Sequence, residues 1–208
     1  MRLPQADTEL VQIMDAAWAA AARRAGAWLV CRPGCTQCCH GAFAINALDA
    51  ARLRSGMEAL RAQDAVRAEA VKKRAEAWIA EHGADFPGNV QTGSLGTSDA
   101  EQEQFENFAN EAACPALDPE TGRCDLYAWR PMTCRAFGPP VRVEHGDESA
   151  RALACCELCF EGAGEAEIAA CEMPVPHAME AQVLGDAAEE GDTVVAFALV
   201  RPRAPSTL

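Results

Sequence analysis

The chain has 208 residues, half of them apolar, and a formal net charge of −13. That is long enough for a real core but carries the wrong sign for a nucleic-acid surface, and the densest basic stretch, Lys72–Lys73–Arg74, is offset by Glu69, Glu76 and Glu81. The longest strictly apolar runs, Ala16–Ala22 and Val194–Val200, are far below the roughly 20 residues of a membrane span and no apolar leader follows Met1, so neither nucleic acid nor membrane is the expected partner and the expected location is the cytoplasm.

Aromatic residues make up only 6% of the chain and alanine is abundant, which favours helices over a β-sandwich or barrel. Residues 7–27 predict an amphipathic helix, with Leu10, Ile13, Met14, Ala17, Trp18 and Ala21 on one face and Gly26 at its end. A loop over 31–41 follows. Asn46 then reads as an N-cap, with Asp49 favouring the positive helix end, and the helical signal runs to His82 with a break near Ser55–Gly56. Val66, Ala70, Val71, Ala75, Trp78 and Ile79 form the expected stripe of its second half. Residues 83–98 predict a surface loop. Ser98 and Glu101 make a capping box for a helix over 99–112.

Residues 114–140 are compact and cysteine-bearing, with a turn at Pro119–Gly122. Val141–Glu144 reads as a short strand before a His145–Gly146–Asp147 turn, and 150–160 fits helix or strand equally. Residues 177–190 read as helix, Thr193–Val200 as a strand, and 201–208 as a disordered tail. The expectation is one mainly α domain over 1–200, with a helical insert at about 46–112 and few short strands. Its irregular cysteine-rich loops form a metal site.

The cysteines carry the chemistry. There are eleven, in three groups and one isolate. In a reducing compartment such groups suggest thiolate ligands or redox chemistry, and the odd number does not close a disulfide framework. The first group, Cys31, Cys35, Cys38 and Cys39, lets thiolates converge from one glycine-containing loop. Adjacent Cys38 and Cys39 cannot both ligate one small ion without strain. Cys114, Cys124 and Cys134 are spaced for ligands gathered by a folded turn. Cys155, Cys156 and Cys159 repeat the adjacent pair and the C-x2-C spacing. Isolated Cys171 reads as a small buried hydrophobe. His40 beside Cys39 reads as exposed or hydrogen-bonded, and the four tryptophans read as core anchors.

The run C31-x3-C35-x2-C38-C39, the CP-x-L at Cys114 and the C-x2-Y-x2-RP-x2-CR-x-F stretch from Cys124 to Phe137 resemble the YkgJ-like cysteine-cluster family, the CxxCxxCC zinc- or iron-chelating domain. The resemblance covers about 31–160. The family's first spacing is commonly C-x2-C, so the longer gap after Cys31 departs from it. The cysteine region is also similar to that of flagellin lysine N-methylases, which are linked to an iron–sulfur cluster.

The resemblance implies metal binding. The expected ligands are Cys35, Cys38, Cys39, Cys114, Cys124 and Cys134, with Cys31 and one or more of Cys155, Cys156 and Cys159 completing the set. Zinc and an iron–sulfur cluster both accept four thiolates, and the surplus of sulfurs tilts the expectation to the cluster. Arg130 and Arg135 flank Cys134 and are expected to offset the negative charge of the centre, while Tyr127 and Trp129 wall it from solvent. No catalytic residue is assigned. A structural or redox metalloprotein, an iron–sulfur-dependent protein-modifying enzyme of methyltransferase type, and a metal storage or trafficking protein are the competing functions.

Overall fold

Helix starts follow local chemistry. The Asn46 side chain accepts the Asp49 N–H at 3.0 Å, and Ser98 and Glu101 close a reciprocal capping box. The computed structural model describes residues 3–143, 152–186 and 191–200. In chain order these contain α1 (Gln5–Ala25), α2 (Ala47–Gln63), α3 (Ala65–His82), β1 (Gly88–Asn89), β2 (Ser94–Leu95), α4 (Asp99–Glu106), β3 (Leu117–Asp118), β4 (Arg123–Cys124), α5 (Met132–Ala136), β5 (Val141–Arg142), β6 (Leu153–Ala154), α6 (Glu165–Ala170), α7 (His177–Asp186) and α8 (Val195–Val200). The protein is mainly α, and the strands among the described residues form three two-stranded antiparallel sheets.

The chain divides into two compact units. One holds Pro33–Pro131 and the described part of Ala188–Leu208. The other holds Pro4–Arg32 and the described part of Met132–Ala187.

In the first unit α2, α3 and α8 pack together. Ile45, Leu53, Met57, Val71, Ala75, Val195 and Leu199 are buried in one cluster, and Cys114 and Cys124 pack on it. A second cluster is aromatic: Phe86 meets Phe108 and Phe197 edge-on, at centroid distances of 5.8 and 4.6 Å. Residues 193–200 were expected as a strand; Thr193 makes an isolated antiparallel bridge with Ile45, but Val195–Val200 form helix α8 instead. An apolar run without alternation fits a buried helix as well as a strand. Here Val195, Ala196, Phe197, Ala198 and Leu199 are all buried, so the helix meets core on every side and satisfies its own backbone.

Three further expectations are corrected in this unit. The α2–α3 break is at Asp64, not at Ser55–Gly56. Asp64 is extended (φ −149°) and its side chain accepts the Arg67 N–H. Gly56 stays helical because Trp129 lies on it; a Cβ there would stand 2.6 Å from the indole Cγ. Helix α4 ends at Glu106 rather than 112, since Ala109 turns left-handed (φ 52°) and the chain leaves extended. The stripe of α3 is Ala68, Val71, Ala75 and Trp78, whereas Val66 is 82% exposed. Within the 83–98 loop, Phe86 is buried and β1 pairs with β2.

In the second unit α1 buries Leu10, Met14, Ala21 and Ala25, and Gly26 ends it with φ 53°. Ile13 of the expected face is partly exposed. The Trp18 indole N–H donates to the Phe137 carbonyl at 3.0 Å. Arg135 of α5 donates to both Asp15 carboxylate oxygens, at 2.7 and 2.8 Å. Arg24 donates to the Ala170 and Glu172 carbonyls just past α6. Val141 pairs with Ala154, so the described part of the ambiguous 150–160 segment, residues 152–160, is strand followed by turn. The expected His145 turn, residues 187–190 and the 201–208 tail lie outside the described residues.

Candidate metal centre

Five cysteines fall in the first unit: Cys35, Cys38, Cys39, Cys114 and Cys124. Gln37–Cys39 form a 3₁₀ turn, closed by the Cys39 N–H on the Thr36 carbonyl at 2.8 Å. Antiparallel pairing ties this turn to the second cysteine group. The Cys114 N–H donates to the Cys39 carbonyl at 2.7 Å, His40 bridges Ala113, and the Gly41 N–H donates to Ala112. Beyond Pro115 the chain folds back as the β3–β4 hairpin, in which Leu117 faces Cys124. Gly122 at its tip is left-handed (φ 65°), and a Cβ there would stand 3.5 Å from Gly34 O and Thr36 Cγ2, the residues flanking Cys35. Loop, strand and hairpin thus present their cysteines together.

The thiols interact electrically. Cys38 is lowered to about 6, first because the Cys39 thiol hydrogen-bonds to it, with Arg130 and His40 adding positive charge. Cys39 is raised, mainly by serving as that donor and by burial, and also by the neighbouring Cys38, Cys114 and Cys124. Burial pushes Cys114 up to about 12 against backbone hydrogen bonds from Ala116 and Leu117, and Cys124 and Cys38 raise it further. Cys124 is raised by burial, opposed by a backbone bond from Leu126 and by Arg130. Amides aimed at sulfur favour the thiolate over the thiol, as a ligand requires.

Below the hairpin, Asp125 is almost wholly buried. Its carboxylate accepts from Arg67 and Arg74 of α3, each at 2.5 Å, and Arg74 also reaches the Pro115 carbonyl. The backbone beside Cys114 and Cys124 is therefore pinned to α3 through charge-assisted bonds. Sequence reasoning passed over Arg67 and Asp125 and read Arg74 only as part of an offset basic stretch. Their signal was there: Arg67 and Arg74 lie seven apart on one helix face, and Asp125 directly follows a cysteine.

The second unit holds Cys31, Cys134, Cys155, Cys156, Cys159 and Cys171. Cys31 and Cys159 stand 3.9 Å apart, sulfur to sulfur. Cys156, Cys159, Phe160, Cys171 and Ala25 are buried in one cluster, with Cys31, Cys155 and Trp28 packed against it. Burial raises Cys155, and the Cys159 charge raises it further. Cys134 lies in α5. Gly138 (φ +112°) was also missed: a Cβ there would come within 3.0 Å of Cys31 Sγ.

Of the side chains expected around the centre, Arg130 lies close enough to lower both Cys38 and Cys124. It stacks on Tyr127 with its guanidinium carbon 4.1 Å from the ring centroid, and Tyr127 is 63% exposed. Arg135 is buried and paired with Asp15. His40 Nδ1 is 3.0 Å from the Thr36 carbonyl. Trp78 is buried, and Trp18, Trp28 and Trp129 are partly so.

With the side chains as they stand, no three His, Cys, Asp or Glu groups among the described residues are set to hold one metal ion. The fit to a metal therefore lies in backbone placement and in the donor chemistry of the thiols. None of the eleven cysteines is in a disulfide.

Residues 30–159 match the family model CxxCxxCC, described as "Putative zinc- or iron-chelating domain". That is more than half of the chain, and the chain belongs to this family. No curated protein and no solved structure matches it. No helix among the described residues is long and apolar enough to cross a membrane.

Proposed function

We propose that the protein is an iron–sulfur metalloprotein whose centre is held by Cys38, Cys39, Cys114 and Cys124 of the first unit, with Cys35 in reserve at the same loop. The observation that carries this reading is the backbone pairing that gathers these thiols: the Cys114 N–H donates to the Cys39 carbonyl at 2.7 Å and the β3–β4 hairpin sets Cys124 opposite Leu117, so that Cys38, Cys114 and Cys124 all act electrostatically on Cys39. Adjacent thiolates strain the shell of a single tetrahedral ion, whereas a polynuclear cluster offers them separate metal atoms. Such a cluster supplies one-electron transfer when bound. The chain's own part is to hold four sulfurs from three segments, to direct amides at them, and to place Arg130 beside the accumulated negative charge.

The cavity beside Cys114, lined also by Gly41, Phe43, Trp78 and Val194, measures about 20 Å³, room for about one water.

The test is anaerobic purification followed by iron, sulfide and zinc analysis with an absorption spectrum. Brown protein with iron and acid-labile sulfide supports the reading, and the C114S/C124S variant should lose both. Colourless wild-type protein with stoichiometric zinc overturns the cluster in favour of zinc. Protein that takes up neither metal overturns metal binding here altogether.

A further inference from the structure

We infer that Cys31 and Cys159 form a redox-active dithiol in the second unit, a modification site at which a small hydroperoxide converts the two thiols to a reversible disulfide. Their sulfurs stand 3.9 Å apart although 128 residues separate them in the chain, and a bond of about 2.0 Å needs a further approach of only about 2 Å. The backbone keeps the two paired. The Phe160 N–H, next to Cys159, donates to the Trp28 carbonyl at 2.9 Å, the Cys159 N–H to the Cys156 carbonyl at 2.8 Å, and the Cys156 N–H to the Gly138 carbonyl at 3.3 Å. Phe160 is buried and left-handed (φ 61°), a conformation that bulky residues rarely adopt, so the chain after Cys159 is fixed by its surroundings and not by local preference. Gly138 (φ +112°) keeps open the space at Cys31 Sγ that a side chain would fill.

The two thiols differ in access. Cys31 is half-buried, whereas Cys159 is 4% exposed, so Cys31 is the one an incoming peroxide meets. Its thiolate attacks the outer peroxide oxygen; the O–O bond breaks, the remaining oxygen leaves with a proton as water or an alcohol, and Cys31 becomes a sulfenic acid. The Cys159 sulfur then attacks the Cys31 sulfur. The S–S bond forms, the S–O bond breaks, and hydroxide leaves with the Cys159 proton as water. Two electrons have passed from the sulfurs to the peroxide. Cys31 belongs to the Pro4–Arg32 segment of the second unit and Cys159 to its other segment, so the new bond joins covalently two stretches of chain that packing alone otherwise holds together.

The inference does not rest on the iron–sulfur reading, and the experiment separates the two. Full-length protein, purified anaerobically and reduced, is treated with near-stoichiometric hydrogen peroxide. Remaining thiols are blocked with N-ethylmaleimide, and peptides are mapped by mass spectrometry without reductant. The Cys31–Cys159 cross-link should exceed any other cysteine pair of the second unit by at least about tenfold and vanish with dithiothreitol. C155S should form the same cross-link, and so should C114S/C124S, whether or not the first unit holds iron. In C159S, Cys31 should instead accumulate as a sulfenic acid that dimedone traps. Wild-type protein in which Cys31 is unmodified or over-oxidised with no bond to Cys159 overturns the inference. So does a Cys155–Cys159 bond in its place, and so does a Cys31–Cys159 bond that forms only after a chelator has stripped the protein.

Discussion

At the scale of single residues, the chemistry of the first unit is concentrated in a thiol pair. Cys38 is held at about 6 chiefly by the Cys39 thiol and then by Arg130 and His40. A depressed thiol is charged above its pKa, so Cys38 of chelator-stripped protein should react with iodoacetamide at neutral pH and lose reactivity as pH falls through about 6. Cys39→Ala removes the largest cause and should move that midpoint upward more than Arg130→Met does; a midpoint unmoved by Cys39→Ala would refute the pairing. Asp125 is the other pivotal residue. Asp125→Asn leaves the Arg67 and Arg74 guanidinium groups without their shared carboxylate. We expect a loss of about 2 kcal/mol in urea unfolding of the metal-free protein, since both arginines remain partly open to solvent. The cysteines themselves were legible as candidate ligands from spacing alone. Asp125 and Gly138 were not singled out, because their roles depend on partners brought near by folding, and spacing carries no such information.

Elements began where the sequence said and often ended elsewhere. Asn46, Ser98 and Gly26 act through bonds to their immediate neighbours, so the starts of α2 and α4 and the end of α1 were readable. The end of α4 and the state of α8 depend on distant packing: Ala109 turns so that residues 112–114 can pair with 39–41, and α8 is helical because apolar side chains enclose it. Ser98→Ala should cost about 1 kcal/mol by removing the hydroxyl that accepts the Glu101 N–H, while the bond from the residue-98 N–H to the Glu101 carboxylate stays, read as a lowered urea midpoint at constant m-value. Gly56→Ala offers the opposite lesson. Helix propensity predicts a gain of about 1 kcal/mol, but the new methyl would overlap Trp129. We therefore expect a net loss of about 1–2 kcal/mol. A more stable variant would show that Trp129 moves aside freely.

For the molecule as a whole, both cysteine-bearing units gather segments far apart in sequence: Cys38 with Cys124 in one, Cys31 with Cys159 in the other. A centre that joins such segments ties long loops, and removing it should weaken the folded state disproportionately. Chelation should lower the melting temperature by about 10 °C, equivalent to about 3 kcal/mol for a chain of this size. An unchanged scan after verified metal removal would mean the centre contributes nothing to stability. The mainly α class was readable from alanine content and helical periodicity. The interleaving of two units was not, since no local pattern records which stretches pack together.

Helix α8 belongs to the same core as α2 and α3, yet the chain reaches it only after passing through Met132–Ala187. During synthesis, then, the nascent chain must leave the α2–α3 surface uncovered while all eleven cysteines, the last of them Cys171, are made before α8. Until α8 is translated, the Cys114 and Cys124 hairpin rests on an unfinished floor. A metal bound at that hairpin would meet its finished support only after α8 is released.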